Sequence, residues 1–264
     1  MSYPRPLALL GEGLAPLLKV LAHLPLERLE FTPVVVPFST VPSTLGALST
    51  LGFLGALVDP NLSGRIFPSL ERLSTAARTC GAVDTLSLLG GEYQGGYALE
   101  EALRVSLENR GFRLFGAKLM VLGSGPEAVA AVQLARAGAS RLVVAADTLP
   151  QAEAMARTLP ATGDSSSKLA RYALTLNDER LESLVERVDL VVQAGAMLPP
   201  RLWQPYHTLL DLFENEGGRF LSRVGGQVLP SSDVQAERLR LQIEAVSGVR
   251  VAIETVQAAL GSEI

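Results

Sequence analysis

The sequence predicts an α/β protein of two domains, an N-terminal α/β domain and a C-terminal domain built on a doubly wound parallel sheet. Strand-like and helix-like segments alternate along the chain, which is typical of βαβ units. A Gly-rich turn stands between a strand and a helix in the second half. Hydrophobic residues make up 48% of the 264 residues and charged residues 19%, which is enough apolar material for two modest cores.

Apolar runs and helical periodicity define the elements of the first half. Short apolar runs predict strands, and apolar residues three or four apart predict helices. The predicted strands are 7–10, 31–38, 55–58 and 83–89, and the predicted helices are 16–24, 45–51, 68–78 and 99–109. Glycine pairs at 90–91 and 95–96 predict a hairpin or loop before the last helix.

After a hinge-like link at residues 111–116, the pattern becomes more regular. The predicted strands are 118–122, 141–146, 173–176, 190–193 and 208–212, with helices after the Gly-rich turn to residue 137 and at 151–158. A polar loop is predicted at 163–167. Two amphipathic helices, 233–246 and 250–260, follow at the end. This order of elements favours a second domain with parallel strands.

Charge and cysteine content argue against several functional classes. The net charge of −4 argues against a nucleic-acid partner, which usually leaves a basic footprint. No run of about 18 apolar residues predicts a membrane span, and the N-terminus does not read as a signal peptide. The single cysteine, Cys80, suits a cytoplasmic protein without internal disulfides. Two scattered histidines, His23 and His207, do not predict a metal site.

The Gly-rich turn carries the clearest chemical signal. Residues 121–128 fit G-x-G-x-x-A between a strand and a helix. The first glycine allows a tight turn, the second lets the backbone approach a pyrophosphate, and the final small residue lets helix and strand pack closely. The helix N-terminus offers free N–H groups to phosphates. The candidate cofactor-binding residues are Gly123, Ser124, Gly125, Pro126, Ala128 and Asp147. The alternative is a tight turn with no ligand.

Asp147 follows the second strand of this unit. A carboxylate there accepts hydrogen bonds from the adenine ribose and repels a 2'-phosphate, which favours NAD over NADP. The alternative is that Asp147 caps the next helix. Glu127 lies inside the turn and adds repulsion to a pyrophosphate unless its side chain points outward.

With these features in place, the sequence resembles the shikimate dehydrogenase family over nearly its whole length. Residues 81–86, G-A-V-D-T-L, resemble the family's G-A-V-N-T-L, and residues 121–128 resemble its V-L-G-A-G-G-A. Residues 151–156, Q-A-E-A-M-A, resemble the helix that follows its N-R-T motif. Residues 189–194, D-L-V-V-Q-A, resemble its D-L-I-I-N-A strand.

The resemblance implies a domain plan and an activity. The family places a substrate domain first and a Rossmann domain second, and its last helices return to the first domain. The plan implies a substrate-type domain at 1–112, completed by helices at about 236–264, and a dinucleotide-binding domain at 113–235. The implied activity is an NAD(P)-dependent oxidoreductase with a small-molecule ligand in the interdomain cleft. The resemblance leaves open whether the protein forms an oligomer.

Two motifs that serve the substrate in the family have lost their polar groups here. The family's S-x-S-P binds the substrate carboxylate through both hydroxyls, whereas residues 13–16 read G-L-A-P. Its N-V-T-x-P-x-K supplies a lysine thought to act in proton transfer, whereas residues 57–63 read L-V-D-P-N-L-S, in this or a neighbouring register. No lysine occurs between Lys19 and Lys118. The group that takes the hydroxyl proton therefore has no counterpart.

Three further positions depart from the family. The Asp of its G-x-N-T-D-G, which works beside the lysine, matches Gly95 within G-E-Y-Q-G-G, and only a slip of several residues would bring Glu100 or Glu101 there. The substrate-binding Gln falls at Arg238, with Gln235 and Gln242 close by. The N-R-T motif, whose Arg holds an NADP phosphate, has become A-D-T at 146–148.

These departures predict a shikimate dehydrogenase-like NAD(P)-binding protein that is not a functional shikimate dehydrogenase. One alternative is a dehydrogenase for a different small hydroxy or keto acid, with Asp59, Glu100 or Glu101 as the acid/base group. Asp59 before Pro60 is typical of a turn, and acids at a helix start favour the helix dipole. The other alternative is a non-catalytic binding or structural protein, a pseudoenzyme whose nucleotide site is empty. Across these alternatives the expected cofactor is NAD rather than NADP, or no cofactor at all.

Overall fold

The computed structural model describes residues 5–37, 40–160 and 169–262. The chain divides into two compact units, the first of Met1–Ala98 with Gln235–Ile264 and the second of Leu99–Val234. Each unit contains a six-stranded sheet with helices, which confirms the predicted α/β class. The domain boundaries predicted from the sequence stay a prediction. The polar loop predicted at 163–167 lies outside the described residues.

The described ranges hold twelve strands and eleven α-helices. The strands are β1 Arg5–Leu10, β2 Leu29–Val34, β3 Gly55–Val58, β4 Arg72–Leu73, β5 Thr85–Leu89, β6 Glu92–Gly96, β7 Lys118–Gly123, β8 Arg141–Ala146, β9 Ala170–Thr175, β10 Leu190–Ala194, β11 Thr208–Asp211 and β12 Gln227–Leu229. The helices are α1 Leu17–Ala22, α2 Val41–Thr50, α3 Pro60–Ile66, α4 Thr75–Cys80, α5 Leu99–Asn109, α6 Pro126–Gln133, α7 Leu149–Arg157, α8 Arg180–Val185, α9 Gly217–Val224, α10 Ser231–Ser247 and α11 Ile253–Gly261. None of them has both the length and the apolar character needed to cross a membrane.

The sheet of the first unit is mixed. Its order is β2-β1-β3-β5-β6-β4, with β1 parallel to both β2 and β3 and with β5 antiparallel to β3 and β6. Apolar residues of α10 at helical spacing, such as Leu239 and Ile243, pack in one core cluster with Leu7 and Leu9 of β1. One face of α10 therefore covers this sheet.

The sheet of the second unit is parallel throughout. Its order is β12-β11-β10-β7-β8-β9, the order of a doubly wound dinucleotide-binding fold. Strands β7 and β10 lie at its centre and are buried along nearly their whole length, since helices cover both faces of such a sheet. The strand order reverses between β7 and β10. Ligands of open α/β sheets bind outside the carboxyl ends of the strands at such a reversal.

One predicted helix of the first unit is wrong. In place of a helix over 68–78, the chain forms a short 3-10 turn, the two-residue strand β4 and then α4. The hydroxyl of Ser74 accepts a hydrogen bond from the Ala77 N–H and starts a new helix at that point. Four short elements, α3, α8, α9 and β12, were not predicted from the sequence.

Candidate functional site

The Gly-rich turn lies where the strand order of the second sheet reverses. Strand β7 ends at Gly123, whose φ is +122°, and the chain there meets the end of β10. A Cβ on Gly123 would lie 1.8 Å from the carbonyl oxygen of Ala194. Glycine at this position is therefore required by the contact between two strand ends, whether or not a ligand binds.

Gly125 has a different environment. It is the N-cap of α6 with a φ of +90°, a value that favours glycine. Among the described residues, a Cβ at this position would meet one atom within 4 Å, the Glu127 Oε2 at 3.7 Å. The side of the turn that a pyrophosphate approaches is thus open. The residues present fit a dinucleotide at this turn.

Two residues make this turn less favourable for a phosphate group than a turn that lacks them. Pro126 takes the first helical position and has no N–H, so the helix N-terminus offers one amide donor fewer. Glu127 places a carboxylate beside Gly125 and adds negative charge. The N–H groups of Ser124, Gly125 and Glu127 remain as donors. We therefore expect weaker phosphate binding than at a turn without Pro and Glu.

Asp147 lies at the same edge of the sheet as the Gly-rich turn. Strands β7 and β8 are adjacent and parallel, with Leu122 beside Ala145, so both chains leave the sheet side by side. Asp147 is exposed. The N-cap of α7 is Thr148, whose N–H is held by the Gln151 side chain at 3.2 Å. The helix-capping role considered for Asp147 therefore belongs to its neighbour.

Asp59 of the first unit is held by the backbone on both sides. It is 3% exposed, and its Oδ1 accepts from the Asn61 N–H at 2.9 Å while its Oδ2 accepts from the Gly13 N–H at 2.6 Å. It is the N-cap of α3, and Pro60 fits the first turn, where a missing N–H costs nothing. The Asp-Pro pair was therefore a helix start signal that the prediction of a turn overlooked.

The positions matched to the family's lysine and aspartate face packed surroundings. In the register given above Ser63 matches the lysine position, and its buried hydroxyl accepts from the Val83 N–H at 2.8 Å. Gly95 stands at the aspartate position, where a Cβ would lie 2.7 Å from a Leu70 methyl and 3.0 Å from a Leu73 methyl. A carboxylate at residue 95 would contact these apolar side chains. Residues 63 and 95 therefore do not provide a group that could accept the hydroxyl proton of a substrate.

Asp84 and Arg238 form a buried ion pair that sequence reasoning did not foresee. The Arg238 Nε lies 2.9 Å from the Asp84 Oδ2, and Asp84 is 2% exposed. The Ala98 N–H donates to both carboxylate oxygens, and the guanidinium lies 5.3 Å from the Tyr97 ring centroid. Burial raises the pKa of Asp84, while Arg238 and the Ala98 N–H act in the opposite direction. Arg238, at the position that matches the family's substrate-binding Gln, is thus engaged in an ion pair with a buried residue of its own unit.

Breaking this ion pair is expected to destabilise the first unit. Asp84→Asn leaves the Arg238 charge without its buried partner, and we expect a loss of about 2–4 kcal/mol in the free energy of unfolding. Glu92→Gln breaks the exposed Arg72–Glu92 pair instead and should cost less than about 1 kcal/mol. Urea unfolding of both variants checks this. Equal midpoints for the two variants would contradict a stabilising role for the buried pair.

The remaining acid candidates lie on α5 in the second unit. Glu101 is exposed and forms an ion pair with Arg104 at 2.5 Å. Glu100 is half-buried, and burial raises the pKa of its carboxyl while the charge of Arg136 lowers it. A raised pKa is the direction that a general acid needs. Among the described residues, no three His, Cys, Asp or Glu side chains are grouped to hold a metal ion.

Comparison with known proteins places these features in a family. No protein-family model matches the chain. A curated relative, the shikimate dehydrogenase (NADP(+)) of Desulforamulus reducens, is 30% identical over 207 residues, which cover 72% of this chain and 69% of that enzyme.

Two solved structures share the fold over nearly the whole chain. The Listeria monocytogenes shikimate 5-dehydrogenase in complex with shikimate and NAD has a TM-score of 0.82 at 17% identity, covering 97% of this chain and 96% of its own. The ligand-free 5-ketofructose reductase of Gluconobacter sp. strain CHM43 has a TM-score of 0.81 at 14% identity, covering 100% of both chains. Together with the 30% identity over more than two thirds of the curated relative, this agreement shows that the chain belongs to the shikimate dehydrogenase family.

Proposed function

We propose that this protein binds a nicotinamide dinucleotide at the Gly-rich turn of its second unit and does not oxidise shikimate. The observation that carries the proposal is a contrast between the two units. The turn keeps an open side at Gly125, whereas the first unit engages its matched positions in internal contacts, as at Asp59 and Ser63.

The first part of the proposal, that the protein binds a nicotinamide dinucleotide, follows from the Gly-rich turn. The relatives are named for NADP or were solved with NAD, which supports a nicotinamide cofactor here. The N–H groups of Ser124, Gly125 and Glu127 would hold the pyrophosphate, and Asp147 would face the adenine ribose. When bound, the nicotinamide supplies hydride transfer.

The second part of the proposal, that the protein does not oxidise shikimate, follows from the side chains that the first unit lacks. Residues Gly13 and Ala15 carry no hydroxyl for a substrate carboxylate. The Ser63 hydroxyl is occupied by a backbone N–H, and Gly95 lies against apolar side chains. Oxidation of an alcohol needs a positioned acceptor for its proton, and these positions offer none.

Calorimetric titration of the purified chain with NAD and with NADP tests the first part of the proposal. We expect saturable binding of NAD, and a stabilisation of about 2.7 kcal/mol when NAD is present at 100 times its Kd. No binding heat and no thermal shift with either dinucleotide would contradict the proposal and favour the alternative of an empty nucleotide site.

Asp147→Asn is expected to shift the dinucleotide preference toward NADP. Removing the carboxylate removes its repulsion of a 2'-phosphate, and we expect the ratio of NADP to NAD affinity to rise about tenfold. Glu182→Gln removes a similar exposed charge on α8 and should leave the ratio unchanged. Titrations of both variants measure the ratio. An unchanged ratio in Asp147→Asn would remove this residue from the ribose site.

A further inference from the structure

The first unit has a pocket that the proposed function does not use. Strands β2, β1 and β3 are neighbours and parallel, so their carboxyl ends meet at one edge of the sheet. A cavity of about 470 Å³ lies at this edge, within the range of about 300–1,000 Å³ that is usual for small-molecule sites. Its lining includes the polar residues Glu12, Asp59, Asn61 and Arg65 and the apolar residues Val36 and Leu62.

The carboxylate of Asp59 occupies one side of this pocket. The loop at 13–16 matches the family segment that holds a substrate carboxylate, and here its Gly13 N–H donates to Asp59 Oδ2 at 2.6 Å. A Cβ on Gly13 would lie 2.4 Å from the same oxygen, and one on Gly11 would lie 2.4 Å from the Asp59 Cβ. A serine at residue 13 would collide with Asp59, so the loss of that hydroxyl and the carboxylate of Asp59 are two parts of one change.

An anionic ligand is disfavoured at this loop for two reasons. The Gly13 N–H already serves a carboxylate, and a second carboxylate would meet the charge of Asp59 at close range with little water between them. Among the described lining residues, Glu12 and Asp59 are negative and Arg65 is positive. The balance of charge is therefore negative before any ligand arrives.

The remaining groups suit hydroxyls. A carboxylate such as that of Glu12 accepts hydrogen bonds from hydroxyl groups, and the Asn61 amide both donates and accepts. The side chains of Val36 and Leu62 offer apolar surface to the carbon atoms of a small ring or chain. This mixture of acceptors, donors and apolar surface matches a compound that carries many hydroxyls and no charge.

We propose that Asp59 is a specificity-determining residue that fills the anion position of this pocket, so that the pocket takes uncharged polyhydroxylated ligands and rejects carboxylates. The inference deepens the proposed function and rests on one part of it, that shikimate is not the ligand. It does not depend on cofactor binding by the second unit.

Probes matched in shape and different in charge test this proposal. One pair is shikimate and its methyl ester, and a second pair is gluconate and sorbitol. For each pair, calorimetric titration of the full chain is expected to show that the neutral compound binds at least about tenfold more tightly than the anion. Binding of the anion as tight as that of the neutral compound would overturn the proposal, and so would a lack of binding by both neutral probes at millimolar concentration.

Two substitutions test whether Asp59 causes the preference for the neutral probe. In Asp59→Ser the new hydroxyl still caps α3 through the Asn61 N–H, while the Gly13 N–H loses its acceptor and becomes available to a ligand. The preference for the neutral probe should fall at least about tenfold. Asp59→Asn keeps the size, removes the charge and serves as a second variant with the same expected direction. Glu92→Gln, an exposed change in the same unit, should bind both probes as the unchanged protein does.

Titrations with and without NAD separate this proposal from the cofactor proposal. A protein that binds the neutral probes but no dinucleotide would refute cofactor binding alone. A protein that binds NAD while both Asp59 variants keep the original probe preference would refute the role of Asp59 alone.

Discussion

A Gly125→Asp variant is expected to bind NAD at least about 100-fold more weakly than the unchanged protein, a loss of about 2.8 kcal/mol. The new side chain points into the space that a Cβ at Gly125 shares with only the Glu127 carboxylate among the described residues. A pyrophosphate arriving there meets a second carboxylate and loses room. The φ of +90° adds backbone strain of about 1–3 kcal/mol for a residue other than glycine.

A control variant tests whether a new carboxylate elsewhere in the same unit weakens NAD binding. Gly225 also has a positive φ, +88°, and a Cβ there meets nothing described within 4 Å. It lies at the C-terminus of α9, in the same unit as the turn. Its ψ is +13°, in the left-handed helical region, whereas the ψ of Gly125 is −176°. Gly225→Asp therefore adds the same charge to the same unit at less backbone strain, and it should bind NAD normally by calorimetry. If Gly125→Asp also binds NAD with unchanged affinity, the Gly-rich turn is not the dinucleotide site.

The central strands of the second unit could be predicted from the sequence because of their burial. A central strand of a parallel sheet is covered on both faces, so it appears as a continuous apolar run that ends at a turn. The predicted strands 118–122 and 141–146 agree with β7 and β8 to within one residue. The Gly-rich turn stands between them, so the position of the candidate dinucleotide site followed from the sequence alone.

Short and peripheral elements were harder to predict for a physical reason. Helices of six to eight residues bury only one or two turns, so their apolar periodicity is hard to distinguish from that of a loop. Helix α3 is such a case: its start depends on the cap at Asp59, and Asp-Pro is equally typical of a turn. The capping bond from the Asn61 N–H is local, whereas the contact that holds the other carboxylate oxygen comes from Gly13, 46 residues away in the chain.

The Asp84–Arg238 ion pair could not be predicted from the sequence, for a different reason. Its members are separated by 154 residues, and neither sequence neighbourhood indicates a partner. Asp84 lies within the G-A-V-D-T-L segment and Arg238 lies at the position of the family's Gln, and nothing in either segment links the two. Only the packing of α10 against the first sheet brings the two charges together.

No shikimate-dependent reduction of NAD or NADP is expected from this protein. A positioned general base contributes about 10²–10⁴-fold to a rate, and the matched positions Ser63 and Gly95 provide none. The loop at 13–16 also lacks the hydroxyls that would orient the acid. Both losses act on the same step, so we expect a rate at least about 10⁴-fold below that of an intact family enzyme.

Absorbance of the reduced nicotinamide measures this rate, with the Desulforamulus reducens relative as the positive control in the same assay. Restoring one group should not restore the activity. A Ser63→Lys variant regains an amine, but the carboxylate that works beside it has no room at Gly95, where Leu70 and Leu73 close the space. The substrate carboxylate would still meet Asp59 at the loop. A rate in the unchanged protein within about 100-fold of the control would mean that some other group takes the hydroxyl proton, and the second part of the proposal would then be wrong.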